Sequence, residues 1–307
     1  MKKTMIAAAV AASFVAPVAM AEVKISGMIN PEFIDKQDVG FAAGASSAAE
    51  SGVNTDIVIS ASEDLGNGLK VTGKYHQFVD TAANATGTQS GTADTANADM
   101  SVTVSGDFGS ISMGRFESFT ESKMDAFMSI DASHDLDLED NTNEVKRSNS
   151  NISYTSPSMN GLSVSVMSGA TYSNKDFSGM IDAMVQYSNN GLTIAAAQMD
   201  VDGGQKINSL AAAYKMGDLE VRVSNRTSDG SDGVEDTDTT MYGVKYTMGA
   251  NTLAVATRDS DYTSVVADAT IFSASHALSK NTNVYVTVVD SDTNADDATG
   301  FGIAYKF

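Results

Sequence analysis

The side chains of this sequence that could take part in chemistry are three histidines and a dense group of carboxylates. The imidazoles are those of His76, His134 and His276, and there is no cysteine. A hydrolase would need one of these imidazoles beside an activated serine. His276 has outward parity on its predicted strand, His76 lies near a strand end, and His134 lies in an acidic segment. The sequence therefore predicts no catalytic residue, and a hydrolase is kept as the enzymatic alternative.

The carboxylates are concentrated in residues 118–145, which contain eight acids and the single base Lys123. Their spacing matches no EF-hand, so neither a metal nor a cofactor is predicted. Phe119 and Phe127 make the segment more apolar than a fully solvated loop. It is either an external loop with a small cluster of its own, or a loop folded into an aqueous lumen with its acids facing wall cations. The second interpretation predicts an acidic constriction formed by Asp125, Asp131, Asp135, Asp137, Glu139 and Asp140.

Nine bases of the predicted strands lie on the face opposite the large apolar residues. This holds for Lys24, Lys70, Lys74, Lys215, Arg222, Arg226, Lys245, Arg258 and Lys306. A charge that faces the middle of a bilayer costs about 2–4 kcal/mol, so lipid on the apolar face would enforce this sorting. Water on the polar face would allow it as well.

The elements that carry these charges alternate apolar and polar residues with the period of a β-strand. In the last of them, residues 301–307, four large apolar side chains including Tyr305 and Phe307 share one face. Such a strand is explained if it pairs with the first strand, residues 23–35, and closes a barrel without free edges. We count sixteen strands, with short turns alternating with long polar connections. The predicted fold class is all-β, a transmembrane antiparallel β-barrel.

The N-terminus has the pattern of a secretory signal peptide. Lys2 and Lys3 precede an apolar run that ends at Val18, and residues 19–21 have the small-x-small form of a cleavage site. The run is shorter than the about 20 residues of a spanning helix. We expect residues 1–21 to be removed and residues 22–307 to form the barrel. Removal takes the net charge from −20 to −22, which argues against a nucleic-acid partner.

Several motifs resemble the Gram-negative general diffusion porins over essentially the whole mature chain. They are the Glu-Asp-Leu-Gly-Asn-Gly-Leu stretch within residues 62–70, residues 105–115, residues 277–280 and the terminal Tyr-Lys-Phe. The resemblance implies a sixteen-stranded barrel, a homotrimer, and a third external loop, about residues 118–147, folded inside as a constriction. It also implies that the barrel-assembly machinery reads the strand ending in Tyr305 and Phe307.

The resemblance also implies a basic side of the pore wall. Its candidate residues are Lys24, Lys74, Arg115, Arg147, Arg222 and Arg258. Arg115 stands where relatives place a wall arginine after a glycine. Strict alternation puts it on the face of Ile111 and Met113, so either Gly114 marks a bulge or Arg115 lies beyond the lipid belt.

The function that these features predict is a passive, water-filled channel for small hydrophilic solutes and ions in the outer membrane of a Gram-negative bacterium. Acids outnumber bases, 39 to 19, so a preference for cations is expected. Three alternatives remain: a loop-plugged barrel that acts as an adhesin or scaffold, a substrate-specific channel, and a secreted soluble β-sandwich.

Overall fold

Sixteen antiparallel strands close into one barrel in the computed structural model of the chain. The structure describes residues 21–36, 49–80, 99–129, 147–148, 150–170, 179–229, 236–261, 268–292 and 297–307. The strands are β1 (Glu22–Lys36), β2 (Ala49–Gly66), β3 (Leu69–Asp80), β4 (Asp99–Gly106), β5 (Gly109–Arg115), β6 (Ser150–Thr155), β7 (Leu162–Ala170), β8 (Met180–Asn189), β9 (Leu192–Val201), β10 (Lys206–Met216), β11 (Leu219–Asp229), β12 (Thr237–Met248), β13 (Asn251–Ser260), β14 (Ala269–Ala277), β15 (Thr282–Ser291) and β16 (Ala298–Lys306). Because β1 also pairs with β16, the predicted closed barrel of sixteen strands is confirmed.

Short turns join the strands at one end of the barrel. Between β2 and β3, Asn67 and Gly68 have φ values of 53° and 76°, which is the left-handed pair that a type I′ turn requires. Asn190 and Gly191 repeat this geometry between β8 and β9. The Gly-, Ala- and Ser-rich composition of the stretch before Asp56 predicts a loop there. That prediction is wrong, because β2 pairs with β1 from Ala49 onward.

The two faces of the wall differ in chemistry in the way that strand parity predicts. On β9, Ile194 is 41% exposed, whereas its neighbour Ala195 is fully buried. On β1, Phe33 is 53% exposed and Glu32 is 1% exposed. The exposed apolar residues form the outer face, and the polar, small and buried residues form the inner face.

Residues from three strands meet at the seam that closes the barrel. The backbone N–H groups of Gly27 and Phe307 each donate to the carbonyl oxygen of the other residue at 3.0 Å. Tyr305 pairs with Ile29 in the same ladder. On the inner face, the Tyr285 hydroxyl donates to Asn30 Oδ1 at 2.8 Å, and the phenol lies directly over Gly302. A buried phenol of β15 thus crosses β16 to reach β1.

Two short helical segments follow β5: a π-helical turn, Thr120–Met124, and α1, Asp125–Met128. In the part of the chain that the structure describes, no helix is long and apolar enough to cross a membrane.

Candidate functional site

Residues 116–129 leave the end of β5 and lie against the inner wall on another side of the barrel. Both helical segments contact β10, the π-helical turn also contacts β9, and α1 also contacts β11 and β12. Since β11 lies six strands around the barrel from β5, this path is a chord across the lumen. Phe119 and Phe127 pack with Met124 against inward-facing Met184 and small residues of β9 and β10. The apolar residues that set this segment apart from a solvated loop are therefore those that cover the wall.

Asp182 on β8 holds the start of the π-helical turn. Its carboxylate accepts from the backbone N–H of Thr120 at 3.0 Å and from the Thr120 hydroxyl at 3.2 Å. The side chain is fully buried. A carboxylate in such a place must have its lone pairs satisfied, because burying an unpaired charge is costly. Asp182 therefore determines where the segment begins to follow the wall.

Arg226 on β11 holds the next turn. Its guanidinium forms an ion pair with Asp125, and its Nη2 donates to the Thr120 carbonyl at 3.4 Å. Arg226 is 2% exposed and Asp125 is 7% exposed, so the pair is buried between the segment and the wall. We call Thr120, Asp125, Asp182 and Arg226 the loop anchor.

Arg222, four residues before Arg226 on the same face of β11, binds the end of α1. Its Nη1 donates to the carbonyl oxygens of Ala126 and Ser129, both at 2.7 Å. These carbonyls are at the C-terminal end of a helix, where unsatisfied oxygens favour a cation. Arg222 Nε lies 2.5 Å from Glu220, whose other oxygen lies 3.5 Å from the Lys245 ammonium.

A second charged cluster lies on the inner wall of β2, β3 and β4. Asp99 is 3% exposed and lies 3.0 Å from Arg147 Nε and 3.8 Å from the Lys74 ammonium. The His76 ring lies between Asp99 and Asp56, with N–O distances of 3.6 and 3.5 Å. The structure thus brings the predicted wall bases Lys74 and Arg147 together on one carboxylate.

Arg147 also ties the two ends of the connection between β5 and β6. It forms an ion pair with Glu117, and the two residues form an isolated backbone bridge. The guanidinium lies 5.0 Å from the centre of the Phe78 ring, within the range of a cation–π contact. Burial raises the pKa of the Glu117 carboxyl above its usual value, and the Arg147 charge opposes that shift.

The other predicted site residues are placed as follows. Lys24 and Arg258 have inner parity, on β1 and β13. The acids Asp131, Asp135, Asp137, Glu139 and Asp140, together with His134 and the predicted signal peptide up to Met20, lie outside the described residues.

Arg115 is a correction to the predicted basic wall. The register of β5 with β4 continues through Gly114 without a bulge and pairs Arg115 with Met100. Met100 and Met113, which share this parity, are 51% and 56% exposed on the outer face. Arg115 is therefore on the outer parity at the end of β5, and Phe116 is the residue that turns inward.

Sequence reasoning missed Asp99, Glu117 and Asp182 as site residues. A signal was present for Asp182, since it is the one acid within the strand of residues 180–189 and lies on the face opposite Ile181 and Val185. Asp99 likewise alternates with the outward Met100. Within the described ranges, no group of three His, Asp or Glu side chains is arranged to hold a metal ion.

The sequence model of the Gram-negative porin family matches residues 7–296. The chain belongs to this family. No curated protein matches its sequence. As a member of this family, the porin is an outer-membrane diffusion channel.

Solved porins share the fold at low sequence identity. Salmonella typhi OmpF, in a complex with daunomycin, superposes with a TM-score of 0.70 at 15% identity, covering 93% of this chain and 97% of OmpF. An anion-selective porin from Comamonas acidovorans has a TM-score of 0.64 at 18% identity, covering 94% and 100%. An OmpT of Vibrio cholerae that lacks its loop L8 has a TM-score of 0.65 at 15% identity, covering 94% and 99%.

Proposed function

We propose that this porin is a passive, water-filled channel for small hydrophilic solutes and ions, with a preference for cations. The observation that supports this best is the sorting of side chains in a closed barrel. Charged residues such as Lys74, Asp99 and Arg222 have inner parity, whereas the outer face is apolar. A sixteen-stranded barrel is wide enough for an aqueous lumen, and charges lining it orient polar solutes.

The preference for cations depends on the acids of residues 118–145. The chain has a net charge of −20, yet the described inner wall carries several bases, among them Arg222, Arg226 and Lys245. A similar structure is that of a porin described as anion-selective. The sign of the selectivity therefore follows from whether Asp131, Asp135 and Asp137 face the aqueous path.

The proposal extends to the rest of the predicted loop and to the assembly. The anchored residues 116–129 support a loop that continues inside the lumen to about residue 147. We propose further that the chain is exported by a signal peptide cleaved after Ala21, that the barrel-assembly machinery reads Tyr305 and Phe307, and that the protein is a homotrimer in outer-membrane lipid.

Single-channel recording tests this function. We expect the refolded mature protein in a planar bilayer to conduct in steps grouped in threes. The reversal potential under a KCl gradient should have the sign of cation selectivity. Neutralising the loop with Asp131→Asn/Asp135→Asn/Asp137→Asn should move the reversal potential toward zero if, as proposed, these three carboxylates face the aqueous path.

The matched control is Asp200→Asn/Asp229→Asn/Asp259→Asn, which removes three exposed carboxylates with outer parity near the ends of β9, β11 and β13. It should leave selectivity nearly unchanged. An anion-selective channel that is indifferent to the loop variant would place those acids outside the path. A folded barrel without conductance would favour the plugged adhesin, and conductance that saturates with one solute would favour a substrate-specific channel.

A further inference from the structure

A recess on the inner wall, near the end of the barrel that carries the short turns, is not explained by the loop anchor. It has a volume of about 440 Å³ and is formed by β10 to β14. Small residues, including Ala254, Ser273 and Ser275, leave this space in the wall. Arg222 separates the recess from α1, because its guanidinium reaches α1 while its Nε binds Glu220 at the recess.

Cations exceed carboxylates around the recess. Lys215 and Lys245 line it together with Asp218 and Glu220, and Arg222 adds a third positive charge. Both oxygens of Glu220 are already engaged, one by Arg222 Nε at 2.5 Å and the other by the Lys245 ammonium at 3.5 Å. Asp218 lies exposed in the turn at the rim. Since an ammonium has three donors, Lys245 can bind Glu220 and a second anion together.

Hydroxyl groups complete a set of donors. Ser273 lines the recess, and its Oγ accepts from the Thr287 hydroxyl at 3.1 Å. Ser275, Thr247 and Thr252 also line the recess. Two ammonium groups and several hydroxyls around one space match a small oxyanion with three or more acceptor oxygens.

We propose that this recess is a binding site for a phosphate group, either as the free ion or as the phosphoryl group of a small solute, held chiefly by Lys215 and Lys245. The proposal rests on the proposed function, because the lumen must admit the ligand. It adds to that function an anion-binding site in the lumen, between the acidic loop and the short turns. A volume of about 440 Å³ leaves room for a small solute beyond the phosphoryl group.

The test has one readout that needs conduction and one that does not. We expect inorganic phosphate, added at constant ionic strength, to reduce single-channel conductance in a saturable manner. The ³¹P resonance of inorganic phosphate should broaden in the presence of the detergent-refolded protein. The variant Lys215→Gln/Lys245→Gln should raise the phosphate concentration at the midpoint of both effects by tenfold or more, since two charge-assisted contacts are lost. Glycerol 3-phosphate serves as the second ligand, and tighter binding than that of phosphate would identify the solute-borne group.

The matched control is Lys70→Gln, which removes an exposed lysine with inner parity one residue from the turn on β3. Lys215 is likewise one residue from the end of β10, and β3 and β10 lie seven strands apart around the barrel. The control should keep the wild-type midpoint. Equal effects of phosphate on wild type and on the double variant would overturn the proposal, as would an absence of both effects. Broadening that depends on the two lysines in a protein that does not conduct would retain the site and reject the channel function.

Discussion

Replacing Arg226 by methionine is expected to release residues 116–129 from the wall while the barrel stays folded. The substitution leaves Asp125 buried without its guanidinium partner, and removing one partner of a buried ion pair costs about 3–5 kcal/mol. The strand ladder does not depend on this side chain, because its bonds are between backbone groups. The cost is therefore concentrated on the contact between the segment and the wall.

The absence of cysteine makes this release measurable. Met124 is 1% exposed against the wall, so Met124→Cys introduces a single thiol that reports on the anchored state. The thiol should react slowly with a maleimide in the single variant and at least about tenfold faster with Arg226→Met added, because a loss of more than 1.4 kcal/mol raises the open population by that factor. Single-channel records should become noisier in parallel.

Lys70→Met is the control, since it removes an exposed cation of the inner wall on β3, seven strands around the barrel from β10, where both helical segments pack. The thiol of Met124→Cys/Lys70→Met should react with the maleimide at the rate of Met124→Cys alone. That result would show that a general loss of wall charge is not the cause of faster labelling. Slow labelling that persists in Met124→Cys/Arg226→Met would mean that the apolar packing of Phe119 and Phe127 holds the segment without the ion pair.

Gly302→Val is expected to lower the free energy of unfolding by about 2–4 kcal/mol, which is the cost of overpacking plus the loss of one buried hydrogen bond. A Cβ at position 302 would lie 2.4 Å from the Tyr285 hydroxyl oxygen and 3.0 Å from the Pro31 carbonyl oxygen. The phenol must swing into the lumen, and its bond to Asn30 is then lost. The seam between β16 and β1 is weakened on its inner face.

The measurement is the temperature at which the folded species disappears on unboiled gels. Gly73→Val is the matched control, because it puts the same side chain on a strand where a Cβ meets nothing within 4 Å. Gly73→Val should change this unfolding temperature little. Adding Tyr285→Ala should remove most of the penalty of Gly302→Val if the clash is its source. Equal midpoints for Gly302→Val and Gly73→Val would contradict the seam argument.

Strand number and parity were predictable because each depends on local alternation. Closure was predictable because an apolar last strand would otherwise leave a free edge. Phe301 and Phe33 could be placed on the outer face from their neighbours alone, and they stack there with ring centres 5.2 Å apart. The Asn67–Gly68 turn was predictable because its backbone angles favour that pair of residues. The wrong start of β2 has the same origin: a polar stretch of small residues carries no alternation, and only its pairing with β1 extends the strand to Ala49.

What the sequence determined by itself is the barrel, its two faces and the presence of an acidic, partly apolar loop, since all of these follow from residue type and a period of two. The tertiary structure alone decided which charges meet. Thr120 and Asp182 are 62 positions apart, and Arg226 and Asp125 are 101 positions apart. These partners come together because the chain crosses the lumen after β5, and they contact one another because the strand register sets their height on the wall.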